Sequence, residues 1–227
     1  MCIRGNRQGR GEGRQEKHSF SKMQTAKRQR RCRAAAAGAV LKPQGGTCAV
    51  LPKIKTEKEN LMQLQSLSRR YTVRHLMETD VDAMLALCSG NPQFYRYHPP
   101  MATKASILDD LQAVPPGKTL SDKYFIGFYD GETLAAMMDL ITGYPNPATA
   151  YIGLFMVDAA QQGRGTGSAL IADCKQALRA EQFKTLRLAI DEGNPQSKAF
   201  WQKNGFALTG QRTPNENGAY LPMECEL

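Results

Sequence analysis

The residues best arranged for chemistry lie between Tyr151 and Gly167. A short apolar run, Tyr151-Ile152-Gly153-Leu154-Phe155-Met156-Val157, breaks into Gln161-Gln162-Gly163-Arg164-Gly165-Thr166-Gly167. Leu170, Ile171, Cys174, Ala177 and Leu178 then follow at the spacing of one helix face. Strand, glycine loop, helix is a device for holding an anion. The start of a helix leaves N–H groups without intrahelical acceptors and carries a partial positive charge, and glycines let a ligand approach the backbone. The stretch therefore reads as a cradle for a phosphate or diphosphate.

Two nucleotide-binding patterns fit it poorly. In a dinucleotide fingerprint G-x-G-x-x-G counted from Gly163, the sixth position is Ser168, and only two helices follow before the chain turns to terminal strands. A P-loop would place Lys directly after its last glycine, and none stands there.

The net charge of +9 on 227 residues suggests a nucleic-acid partner until it is divided along the chain. Residues 1–60 hold 15 Lys/Arg against 4 Asp/Glu, net +11, while the remainder holds 15 against 17, net −2. No electrostatic argument for nucleic-acid binding therefore applies to the folded part. The segment 1–60 is acid-poor, has Phe20 as its sole Phe, Trp or Tyr, and reads as a disordered basic leader. Its run Lys27-Arg28-Gln29-Arg30-Arg31-Cys32-Arg33 fits a nuclear or nucleic-acid patch, its composition faintly fits an organellar transit peptide, and a start site read too far upstream is the competing account. The six cysteines are scattered, with no C-x-x-C pair and no metal-ligand spacing, so they read as reduced intracellular thiols, Cys174 as a core residue and the location as cytoplasmic. No apolar run is long enough to span a membrane.

Around the loop, residues 61–70 read as a linker or short helix, followed by a single domain over 71–227. Tyr71–Arg74 reads as a strand, and Asp80 opens and caps a helix ended by Gly90 and Pro92. The segment Phe94-Tyr95-Arg96-Tyr97-His98 follows, placed either as a binding loop or as loop packing, and a second helix covers 104–113. Two strand-like runs flank Asp130-Gly131, which predicts a tight hairpin. After the glycine loop and its helix come a strand at 185–190, a helix starting at Asn194-Pro195, and two terminal strands, 206–211 and 220–226. The expectation is an α/β chain with a mixed, mostly antiparallel sheet covered by helices.

Two motifs in register carry a resemblance. Gln162-Gly163-Arg164-Gly165-Thr166-Gly167 resembles the R/Q-x-x-G-x-G/A signature of the GNAT acyltransferase superfamily, and Asn194-Pro195-Gln196-Ser197-Lys198-Ala199-Phe200-Trp201-Gln202-Lys203-Asn204-Gly205-Phe206 resembles its N-x-x-A/S-x-x-F/L-Y-x-K-x-G-F helix and turn. With the upstream hairpin, the likeness covers 71–227. It implies the GNAT fold, acetyl-CoA as co-substrate, no metal, and transfer of an acetyl group to an amine on a small molecule, peptide or protein. A second copy of the chain is a further candidate partner, and a catalytically weak acyl-CoA-binding module is the alternative reading.

The resemblance also assigns residues. The coenzyme diphosphate falls to Gln162, Gly163, Arg164, Gly165, Thr166, Gly167 and Ser168. The backbone of Phe155, Met156 and Val157 falls to the pantetheine arm, with the N–H near Val157 on the thioester carbonyl, and Asn194 and Phe200 fall to the acyl end and wall. Catalysis departs from the family pattern twice. The tyrosine that often protonates the leaving thiolate is here Trp201, and the strand position where relatives place a glutamate is Tyr151. Asp139, His98 and Tyr151 remain as candidate proton carriers.

Overall fold

A computed structural model describes residues 62–227; the basic leader and residue 61 lie outside the described residues. The elements in chain order are β1 (Thr72–His75), α1 (Val81–Ser89), α2 (Pro92–Tyr95), α3 (Lys104–Gln112), β2 (Lys123–Asp130), β3 (Thr133–Thr142), β4 (Thr149–Val157), α4 (Thr166–Ala180), β5 (Thr185–Asp191), α5 (Pro195–Lys203), β6 (Ala207–Leu208), β7 (Thr213–Asn215) and β8 (Gly218–Glu226). They build one sheet in the order β1-β2-β3-β4-β5-β8-β6, with β7 also on β8. Only β4 and β5 run parallel, and α4 connects them. The mixed, mostly antiparallel sheet with helices on both faces is as the sequence indicated.

Alternation along the central strands sorts side chains to two cores. Ile126, Phe128, Met138, Leu140 and Ile152 pack with Leu170, Ile171, Cys174 and Leu178 of α4 and Trp201 of α5 on one face. Phe125, Met137 and Met156 pack with Val81, Met84, Leu87 and Cys88 of α1 and Ile107 and Leu111 of α3 on the other. A 3-10 turn at Leu64–Leu67 adds Met62 and Leu67 to the α4 core. Cys174 is fully enclosed there, and burial pushes its thiol up to about 12, which leaves it a small apolar side chain.

Three local expectations change. The hairpin loop is Gly131–Glu132, because Asp130 pairs with Thr133; positive φ falls only on Gly131, as a II′ connection requires. Asp80 precedes α1 without capping it. Its carboxylate instead accepts from Met77 N–H and from Arg74 (2.7 Å), an arrangement that holds it below the usual carboxylate range. The terminal region contains a third short strand, β7, whose three residues Thr213-Pro214-Asn215 are too few to show alternation.

Candidate active site

The site is made where two strands part company. β4 pairs with β5 only through Thr149–Ile152 against Thr185–Leu188. Beyond Ile152 the strands diverge, β5 continues along β8 to Asp191, and the β5-facing edge of β4 from Gly153 to Val157 is left without a partner strand. The departure coincides with a bulge: Leu140 pairs with Ile152 but Asp139 pairs with Leu154, which gives β4 one extra residue, Gly153. A Cβ at Gly153 would lie 2.9 Å from Asp139 Oδ2, so any side chain there would have to push that carboxylate away from its place against Lys123.

The glycine loop stands at the open end of β4. Gly163 (φ 71°) and Gly165 (φ 83°) take left-handed conformations, and Gly165 is the residue from which α4 starts. The N–H groups from Gly163 to Ser168 meet no acceptor among the described residues, and a Cβ on Gly163 or Gly165 would meet nothing within 4 Å. Open space, glycine backbone, unpaired donors and the exposed cation of Arg164 together fit a diphosphate. Two expected contributors also make contacts within the protein. At Gly167 the close approach of Phe200 leaves little room, since a Cβ there would lie 3.1 Å from the ring. Gln162 donates to Val157 O (2.9 Å) and Asn91 Oδ1 (2.6 Å), anchoring the loop with its side chain. Thr166 is buried and Ser168 half-buried at the helix start.

Phe155 stacks on Phe200 (6.1 Å between centroids) and approaches Trp201, which packs edge-on to Phe200 and Phe206. This aromatic wall lines the α4 and α5 side of the diverging strands. Asn194 caps α5, its Oδ1 accepting from Ser197 N–H at 3.0 Å, and is buried.

All three candidate proton carriers belong to the opposite face of the sheet, but in different settings. Asp139 is enclosed and paired with the equally enclosed Lys123 (Nζ to Oδ2, 2.7 Å), while its Oδ1 has no partner among the described residues. Burial raises its carboxyl, and enclosure keeps it from direct contact with an acceptor. Tyr151 lies on the paired stretch of β4 opposite Arg187, edge-on to Tyr144, with its phenol pushed up by burial. His98 reaches across to the end of β5: its Nδ1 lies 3.2 Å from both oxygens of buried Asp191. Phe94 and Tyr220 flank the imidazole at 5.2 and 6.2 Å.

Two acids on this face escape sequence reasoning. Asp191 ends β5 and carries no local motif. Asp110, on the otherwise ordinary helix α3, has its carboxyl raised to about 6, mainly by burial, under the influence of Lys123, Asp139, His98 and Asp109. The described residues hold no group of three or more His, Cys, Asp or Glu side chains placed for a metal ion.

The geometry agrees with comparisons to known proteins. The model of the acetyltransferase (GNAT) family matches residues 89–206, just over half the chain, and this chain belongs to that family, whose chemistry is acetyl transfer from acetyl-CoA. Solved structures share the fold. An acetyltransferase from Thermus thermophilus is 20% identical with a TM-score of 0.55, over 69% of this chain and 96% of its own. The ribosomal-protein-S18-alanine N-acetyltransferase of Escherichia coli is 18% identical with a TM-score of 0.51, over 68% and 92%. PaiA N-acetyltransferase from Thermoplasma acidophilum, solved with coenzyme A, is 14% identical with a TM-score of 0.51, over 69% and 98%. The sequence has no match among curated proteins. No helix of the described residues is long and apolar enough to cross a membrane.

Proposed function

We propose that this chain transfers the acetyl group of acetyl-CoA to a primary amine by direct attack, with His98 as the proton acceptor. The observation that carries the reading is the parting of β4 from β5, with an anion cradle at the end of one strand and a His–Asp pair at the end of the other. Bound there, acetyl-CoA supplies an activated acyl group as a thioester. The N–H groups of Gly163–Ser168 and the Arg164 guanidinium hold the diphosphate. The free edge of β4 at Phe155, Met156 and Val157 hydrogen-bonds the pantetheine arm as an added strand would, and Phe200 walls the channel. A β4 N–H near Val157 polarises the carbonyl. Asn194, besides capping α5, borders the acyl end.

The acceptor must lose a proton before it attacks: an alkylamine of pKa about 10.4 is neutral in only about one molecule in 2,500 at pH 7. With Nδ1–H donated to Asp191, the Nε2 of His98 is the lone-pair nitrogen that takes this proton, and Asp191 fixes the ring. Asp139 and Tyr151 shape the floor. The unpaired thiols of Cys88, Cys174 and Cys225 suit a reducing, cytoplasmic setting.

Trp201 favours one other reading. It is buried among Phe155, Phe200 and Phe206 where relatives place a proton-donating tyrosine, so the leaving thiolate must take its proton elsewhere, and a coenzyme-binding module with little turnover is the alternative. Thiol release from acetyl-CoA over an amine panel, beside calorimetric titration with CoA, separates the two. Amine-dependent release is expected; tight binding without it would leave only the module.

A further inference from the structure

Resting on the acetyl-transfer reading, we propose that the acceptor is a compact cationic amine rather than a stretch of polypeptide, and that Asp110 anchors its positive charge. The acceptor face of the parted strands is spanned by protein. His98, from the segment between α2 and α3, touches Asp191 at the end of β5 and lies over Tyr220 at the start of β8. Beside it, the turn between β7 and β8 brings Asn217 Nδ2 to 3.5 Å from Pro99 O. The helix α2 that leads into this segment is held to β4 at its start, where Asn91 Nδ2 donates to Val157 O (3.2 Å). An extended peptide crossing this face would have to displace the His98–Asp191 contact that gives the imidazole its orientation. A small amine entering beneath the bridge would leave it intact.

Charge on this face points to a cation. Of its carboxylates, Asp139 is paired with Lys123, while Asp191 accepts a hydrogen bond from His98, which as the neutral proton acceptor leaves the Asp191 charge unmatched. Asp110, half-buried toward the end of α3, stands between Ile107 and Leu111, which pack into the core of this face, and makes no ion pair among the described residues. The enclosed Asp139 Oδ1, lacking a donor among the described residues, adds negative potential beneath the same spot. Phe94, edge-on to Tyr95, and Tyr220 flank His98 and give this face aromatic surface of the kind that accommodates ammonium groups. Burial raises the Asp110 carboxyl to about 6, so at pH 7.5 it still carries its negative charge.

The test uses the full chain and measures thiol release from acetyl-CoA with two sets of acceptors: small mono- and diamines, and ten-residue peptides bearing a free N-terminus or an internal lysine. Small amines are expected to show kcat/KM about 100-fold above the peptides, a ratio typical of a site that excludes one class sterically. Asp110→Asn is expected to raise KM for the amines about 10-fold, with kcat within about 3-fold and CoA affinity unchanged, the pattern of lost acceptor binding rather than lost chemistry. Peptides that match or exceed small amines would overturn the inference while leaving acetyl transfer standing. So would an Asp110→Asn enzyme with unchanged KM. If neither set releases thiol although CoA binds, acetyl transfer itself fails, and the inference with it. The peptide comparison is made on the unaltered chain, so it does not depend on the variant folding.

Discussion

The two sides of the parted strands are built from different materials. On the proposed reading, the donor side is backbone: N–H groups of a glycine loop, the free edge of β4, and the start of α4. The acceptor side is side chains: His98, Asp110, Asp139 and Asp191, each from a different element, converging on one face. A backbone site is specified by a few adjacent residues and tolerates almost any others. A side-chain site depends on distant segments meeting, and its chemistry changes with one substitution. The donor side should therefore respond to changes of conformation, the acceptor side to changes of charge.

The largest effect expected is on the donor side. Gly165→Glu puts a side chain on a φ of 83° and a carboxylate in the proposed diphosphate cradle, so CoA affinity should fall by more than about 100-fold with the fold retained; titration calorimetry showing unchanged affinity would remove the cradle assignment. Next, Lys123→Met leaves Asp139 buried without its partner and should cost about 3–5 kcal/mol in denaturant unfolding at pH 7.5. Adding Asp139→Leu should recover most of that loss, since the apolar pair removes the stranded charge. His98→Ala should lower kcat about 100-fold with CoA affinity unchanged, and the remaining activity should climb with pH as the amine deprotonates unaided. An equal fall in coenzyme affinity would dissolve the division between the two sides.

Asp110 gives a smaller effect with a definite sign. Its carboxyl is raised to about 6 in the folded chain against about 3.9 unfolded, so the folded state binds the proton more tightly. The contribution of Asp110 to stability should fall as pH rises from about 4 to about 6 and then level off. Asp110→Asn should flatten that slope and raise Tm at pH 7.5 by about 2–4 °C. Smallest is Arg164→Ala, where an exposed cation contributes a charge-assisted contact, and CoA should bind about 5-fold more weakly with melting unmoved. A larger loss would mean that the donor side leans on side chains after all.

The same division explains what can be read from the sequence. Strand, loop and α4 follow from one continuous run, because apolar spacing and glycine placement are local signals, and the Asn194 motif adds α5 and its cap. The bulge at Gly153 is written in the sequence as an ordinary strand glycine; only the Asp139 carboxylate beneath it gives it meaning. Gly167 also lies against Phe200, a residue far along the chain whose approach no spacing rule reports. His98 stands out by its aromatic neighbours, yet Asp191 and Asp110 do not. An acid at a strand end or on a helix flank looks solvated until tertiary packing buries it.

One carbonyl belongs to both sides. Val157 O, the last in β4, receives Asn91 from the acceptor wall and Gln162 from the donor loop, and those two side chains also bond to each other at 2.6 Å. The triangle has no slack: a displacement of the loop tugs on the segment that carries His98, and a displacement of that segment tugs on the loop. Whatever free energy one substrate's arrival lends to the other's must be returned in equal measure when the order is reversed.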